Sequence, residues 1–245
     1  TDDRDPHHSM RSGWMFAGVD MPRFLAWRAG KPEEFAAFMQ RGKADIGLFE
    51  RAFVSWRNDV ALFMGPRLAG YSPLAVDDLT EVEIRSHRLM VEHLRLYRRD
   101  APGFGDAYLM LSAPQIGVRH GRRLRGVASV TRRTWDGRGQ PDEIGVSPPL
   151  APQVANVAAP HGALVPAALD GLLAPGRHLS CDANSHSFLR EIPQCWLTGQ
   201  AAGAAAALAA DAGVPPRAVD IAALQAALRR QGAHLSEGGA ARAVA

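Results

Sequence analysis

The chain has 245 residues, 47% of them hydrophobic and 22% charged, ordinary globular material for one large domain or two small ones. Its 28 Lys and Arg against 25 Asp and Glu leave too slight an excess to call for nucleic acid or an anionic membrane. Two cysteines, Cys181 and Cys195, are too few for a disulfide framework and too far apart for a Cys-x-x-Cys metal knuckle, so free thiols, no metal and a reducing, cytoplasmic compartment are expected.

No apolar run reaches membrane-spanning length. "TDDRDPHHSMRSG" at the start is polar and reads as a tail. "DMPRFLAWRAGKPEEFAAFMQRG" carries two helix starts, at Pro22 and Pro32, with Gly30 and Gly42 as expected stops. "RAFVSWRNDVALFMG" reads as strand with a turn at "RND". "DDLTEVEIRSHRLMVEHLRLYRRDAPG" is the clearest helix. Thr80 and Glu83 form a capping box, Val82, Met90, Leu94 and Tyr97 recur at helical spacing, and Arg98 and Arg99 suit the C-terminal dipole.

Strand-like runs follow in "AYLMLSAPQIGV", "RRLRGVASVTRRTW" and "GALVP", separated by the turn-rich "DGRGQPDEIGVSPPLAPQ". "GLLAPGR" (171–177) reads as a buried strand ending in Gly176 and Arg177. After it come a polar loop and a helix through "EIPQCWLTGQAAG", whose Gly199, Ala201, Ala202 and Gly203 keep one side thin. A last helix is expected from Pro216 to Gly232. The alternation of strands and helices gives a mixed α/β (α+β) fold class.

"APGR", "NSHSFLR", "PQC" and "GQAAG" together resemble the closing segment of the bacterial FAD-dependent oxidoreductase family. That family is of the glutathione-reductase-like class and distantly related to the fumarate reductase flavoproteins. "MFAGVD", "QIGVRHGRRLRG" and "HGALVP" extend the resemblance over roughly residues 10–235. Pro175, Ser185 and Ser187 depart from the family pattern, as do His120 and His161. The resemblance implies a substrate domain over 11–165 and the closing strand–helix segment of a Rossmann-like FAD-binding domain over 166–235, with tails at 1–10 and 236–245.

FAD is the implied cofactor, held by Gly176, Arg177, Ser180, Glu191, Ile192, Gly199, Gln200 and Ala201. His186, in the loop before the helix, matches the family's His and is a candidate base; the alternative is a structural His that fixes the loop. Arg190 is a candidate anion contact, or else an ordinary ion pair with Glu191. His161 and Arg119 are further substrate contacts, while strand alternation sends His120 to the face opposite Arg119. The cluster Arg119, Arg122, Arg123 and Arg125 lacks an aromatic platform, and suits surface charge or a partner chain better than nucleic acid.

The Gly-x-Gly-x-x-Gly turn that would cradle the cofactor's pyrophosphate is absent; "GFGDAY" has only the first two glycines. A partner chain carrying that half is therefore expected, in a two-chain enzyme oxidising a small molecule as dehydrogenase or oxidase. Two rival readings remain: a hydrolase made by autocleavage with Thr1 as nucleophile, and a non-catalytic assembly subunit.

Overall fold

A computed structural model describes residues 9–135, 139–147 and 156–236. Contacts divide the chain into two compact units, residues 2–121 and residues 122–245. The elements are a mixture of α and β in both.

In the first unit, β1 (Ser9–Arg11) lies between β5 (Leu68–Ala69) and β7 (Gly117–Val118) in one small sheet. A second sheet has the order β3-β4-β2-β6, from Phe53–Val54, Val60–Phe63, Trp14–Ala17 and Tyr108–Ser112. All its pairings are antiparallel. Three helices complete the unit: α1 (Met21–Gly30), α2 (Pro32–Ile46) and α3 (Val76–Asp100).

One face of the larger sheet sends Trp14, Phe16, Ala61 and Phe63 into a core with Phe24, Phe38, Phe49, Tyr97 and Phe104. The other face carries Phe53, Leu62, Met15 and Leu111 as one cross-strand row, because directly paired residues share a face. Pro22 and Pro32 do start their helices, where a missing N–H costs nothing. Gly42 does not stop α2, which runs on to Ile46; a side chain at Gly42 would overlap the Phe49 ring, so the glycine serves packing.

The Thr80 capping box is also not formed. α3 begins at Val76, with Asp77 and Asp78 in its first turn, and Thr80 Oγ1 donates back to the Val76 carbonyl (2.9 Å). Inside this unit His93 and Tyr97 fasten the chain before β3 to α3. Glu50 N–H donates to His93 Nε2 (2.9 Å), Ala52 N–H donates to the Tyr97 hydroxyl (2.9 Å), and that hydroxyl donates to the Glu50 carbonyl (2.9 Å).

The second unit holds the antiparallel pair β8 (Glu143–Ser147) and β9 (Val157–Pro160), with α4 (Ala183–Leu189), α5 (Ile192–Ala212) and α6 (Ile221–Arg230). The expected strands at 122–135 and 162–166 are irregular instead. Ala128 N–H donates to Gly162 O, Val130 N–H to Ser180 O and Ser180 N–H to Ala163 O, each at 3.0 Å. Gly126 is required in this crossing, since a Cβ there would sit 2.8 Å from that of Ser180.

Residues 171–177 form no strand. Ala174 N–H goes to Leu164 O (2.8 Å), Gly176 N–H to Thr198 Oγ1 (3.0 Å), and Pro175 has no N–H to give. The final helix starts at Asp220 rather than Pro216, because the Asp220 carboxylate caps Ala222 and Ala223 N–H; Pro216–Ala218 is a single 3-10 turn.

Candidate functional site

The second unit brings His186, Arg190, Glu191 and Ile192 together at the junction of α4 and α5, with the Gly176–Arg177 turn tied to it through His186. Asp182 starts α4 by accepting Ser185 N–H at 2.7 Å, and its other oxygen accepts Arg132 N–H at 2.9 Å. Burial pushes the Asp182 carboxyl up, but the bonds from Ser185 and Arg132 outweigh it and the net shift is downward. This cap is why His186 lies on a helix and not in a loop. Ser185 and Ser187, which depart from the family pattern, both have partners: Trp135 Nε1–H donates to Ser185 Oγ (3.0 Å) and Ser187 Oγ–H to Asn184 O (2.7 Å).

His186 is 2% exposed, with Nε2 3.0 Å from the Arg177 carbonyl. A carbonyl only accepts, so Nε2 carries the proton. The imidazole thus braces the Gly176–Arg177 turn. Arg190 pairs with its neighbour, Nη2 to Glu191 Oε1 at 2.9 Å. The Arg190 carbonyl accepts Cys195 Sγ–H (3.4 Å). Both thiols are free, and burial raises both, Cys181 to about 12.

The expected cofactor contacts divide into two groups. Gly176, Arg177, Glu191, Ile192, Gly199 and Gln200 reach the surface in whole or part, whereas Ser180 (4% exposed) and Ala201 (0%) are buried in the core. Glu191 N–H is taken by Phe188 O (2.9 Å), and Gln200 Nε2 donates to Gln231 (3.1 Å). Ile192 and Gln194 N–H remain at an α5 N-terminus that no side chain caps among the described residues. Gly176 has φ +88°, and a Cβ there or at Gly199 or Gly203 would meet nothing within 4 Å.

Gly199 and Gly203 are exposed on the same side of α5 as Ile192 and Trp196, while Ala201 and Ala202 face the core. The thin side expected of all four small residues is therefore two sides.

His161 stands apart in the 3-10 turn His161–Ala163 and is 3% exposed, with no hydrogen-bond partner for Nε2 among the described residues. Burial lowers its pKa and the nearby Asp142 charge opposes that. Asp142 also accepts Gly162 N–H (3.0 Å). Arg119 follows β7 in the first unit, next to a buried His120. Two buried residues at the site escaped sequence reasoning, Thr198 and Gln194. Thr198 Oγ1 accepts Gly176 N–H, and Gln194 Nε2 donates to Ser147 Oγ (3.0 Å). Their signal was the i, i+4 spacing along one helix face.

A family model described as FAD dependent oxidoreductase matches residues 13–148 and 151–228. No curated protein and no solved structure matches the chain. The α5 end fits a flat group with a negatively charged edge: its N–H groups are uncapped, and no Cβ fills the space at Gly176.

Proposed function

Because this chain belongs to the FAD dependent oxidoreductase family, we propose that it is the substrate-domain-bearing part of a two-chain flavin oxidoreductase. The enzyme takes a hydride from a small organic substrate, and a partner chain supplies the dinucleotide-binding half. The observation that carries this reading is the open side of α5, where Ile192 is 64% and Trp196 72% exposed beside Gly199 and Gly203. Large apolar side chains next to a thin backbone suit close packing by another polypeptide better than they suit water. The same partner would give residues 171–177 the neighbouring strand they lack.

FAD supplies the hydride acceptor when bound. This chain offers Ile192 and Gln194 N–H toward an anionic edge, and the Gly176–Arg177 turn as a close wall. His186 acts as a positioning residue that holds the Arg177 carbonyl. Arg190 orients or neutralises the substrate, in exchange with Glu191. His161, in the same unit, is the further substrate contact in this reading. Thr1, on which the hydrolase alternative rests, lies outside the described residues. Among the described residues no helix is long and apolar enough to cross a membrane.

Native mass and visible absorption of the protein purified from its source test the proposal. Flavin bands and a mass above 26.3 kDa by one further chain are expected. A colourless protein at 26.3 kDa overturns it.

A further inference from the structure

The edge of the larger sheet in the first unit carries a second, unrelated surface. Among the described residues β3 pairs with β4 alone, which leaves its other backbone edge without a described strand. Beside β3 lies a groove of about 410 Å³ lined by Arg28, Phe35, Arg51, Ala52, Phe53 and Val54. It contains two cations and no acidic residue. Arg51 lies over the Phe53 ring at 4.9 Å and Arg28 over Phe24 at 5.9 Å, and among the described residues neither has an ion pair.

A lone charge beside an edge strand is a common guard against unwanted pairing. That role covers Arg51. It does not explain why Arg28, from a helix, lines the same groove, nor why Val54 in β3 and Trp56 in the bend after it stand 53% and 71% exposed. Positive charge on an unpaired strand with apolar flanks complements a strand of the opposite charge.

We infer that the groove beside β3 docks an extended, carboxylate-bearing segment of another polypeptide, which adds to β3 as a strand and places acidic side chains on Arg28 and Arg51. Main-chain bonds to β3 supply the pairing, Val54 and Trp56 cover the partner's apolar positions, and the two guanidinium groups select its charge.

The probe is a fluorescein-labelled, end-blocked hexapeptide of alternating glutamate and valine, titrated into the 245-residue chain and followed by anisotropy. Saturable binding that weakens with salt is expected, with amide exchange slowed at the one of Phe53 and Val54 whose N–H points away from β4. Arg28→Gln and Arg51→Gln should each weaken it roughly ten-fold, and the lysine–valine counterpart should not bind. The inference is overturned by no binding, by equal binding of both peptides, or by unchanged binding by both variants. Displacement by free glutarate at the peptide's own affinity, with no protection at that amide, also overturns it and makes the groove a small-anion pocket.

Discussion

Residues 2–121 close their core with aromatic rings, whereas residues 122–245 close theirs mainly with alanine, valine and leucine. In the first, Trp14, Phe16, Phe24, Phe38, Phe49, Phe63, Tyr97 and Phe104 share one cluster; in the second, Phe188 is the one buried Phe, Tyr or Trp ring among the described residues. Rings keep backbones apart and fix their neighbours by edge-to-face contact. Small residues let backbones approach, as Gly126 and Ala128 do around Gly162. The unit with the thin backbone is also the one whose helix N-terminus and glycine turn lie open, and a flat cofactor or second chain needs that kind of approach.

The largest expected break of this contrast is Phe38→Ala. Phe38 is 1% exposed and its ring meets Trp27, Phe35, Phe49 and Tyr97. Removing it should cost about 3–5 kcal/mol, read as a lowered urea midpoint. A loss under about 1 kcal/mol would show a core loose enough to refill.

Acid should act on the same unit. His93 Nδ1–H donates to Leu89 O (2.6 Å) and Nε2 accepts Glu50 N–H, so the neutral ring is fully satisfied. Burial takes its pKa from the usual ~6.5 to about 4. The unfolded chain therefore takes up the proton first as pH falls. Stability contributed by the neutral ring is present above pH ~6.5, declines between there and about 4, and is gone below. At about 1.4 kcal/mol per pH unit the gap is worth roughly 3 kcal/mol. Urea midpoints at several pH values test this, and a His93→Gln variant with the same acid slope would assign the loss to another group.

The second core should fail in the opposite sense, through overfilling. Ala205 is 0% exposed on the inner side of α5, so Ala205→Leu should cost about 1–3 kcal/mol, whereas Ala205→Gly should cost less. Urea midpoints that rank Gly as the costlier change would mean the small-residue core has spare room.

Much of this was legible wherever a local rule had no competitor. The proline starts at Pro22 and Pro32, the long α3 with its buried Val82, Met90 and Tyr97, and the helix through "GQAAG" all stand in the structure. Legibility failed where partners came from far along the chain. The Thr80 capping box fits the local rule, but Asp78 accepts Ser72 N–H (2.7 Å) and the helix begins a turn earlier. His186 looks loop-borne until Asp182 caps α4, and its ring partner is the Arg177 carbonyl, nine residues back. "GLLAPGR" has the composition of a buried strand, yet a strand also needs a neighbour to pair with. Sequence shows the donors; it does not show which acceptor arrives.

The smallest effect bears most directly on the open side of α5. Gly199 is exposed in the helix interior and a Cβ there meets nothing within 4 Å, so Gly199→Ala should stabilise the isolated chain by about 1 kcal/mol through backbone entropy. If a partner packs on that side, the added methyl enters the contact, and the same variant should lose partner mass and flavin absorbance together. A glycine kept at a helical cost has its reason in what touches it. Higher thermal stability with unchanged assembly would show that nothing touches it, and would move the partner's seat away from α5.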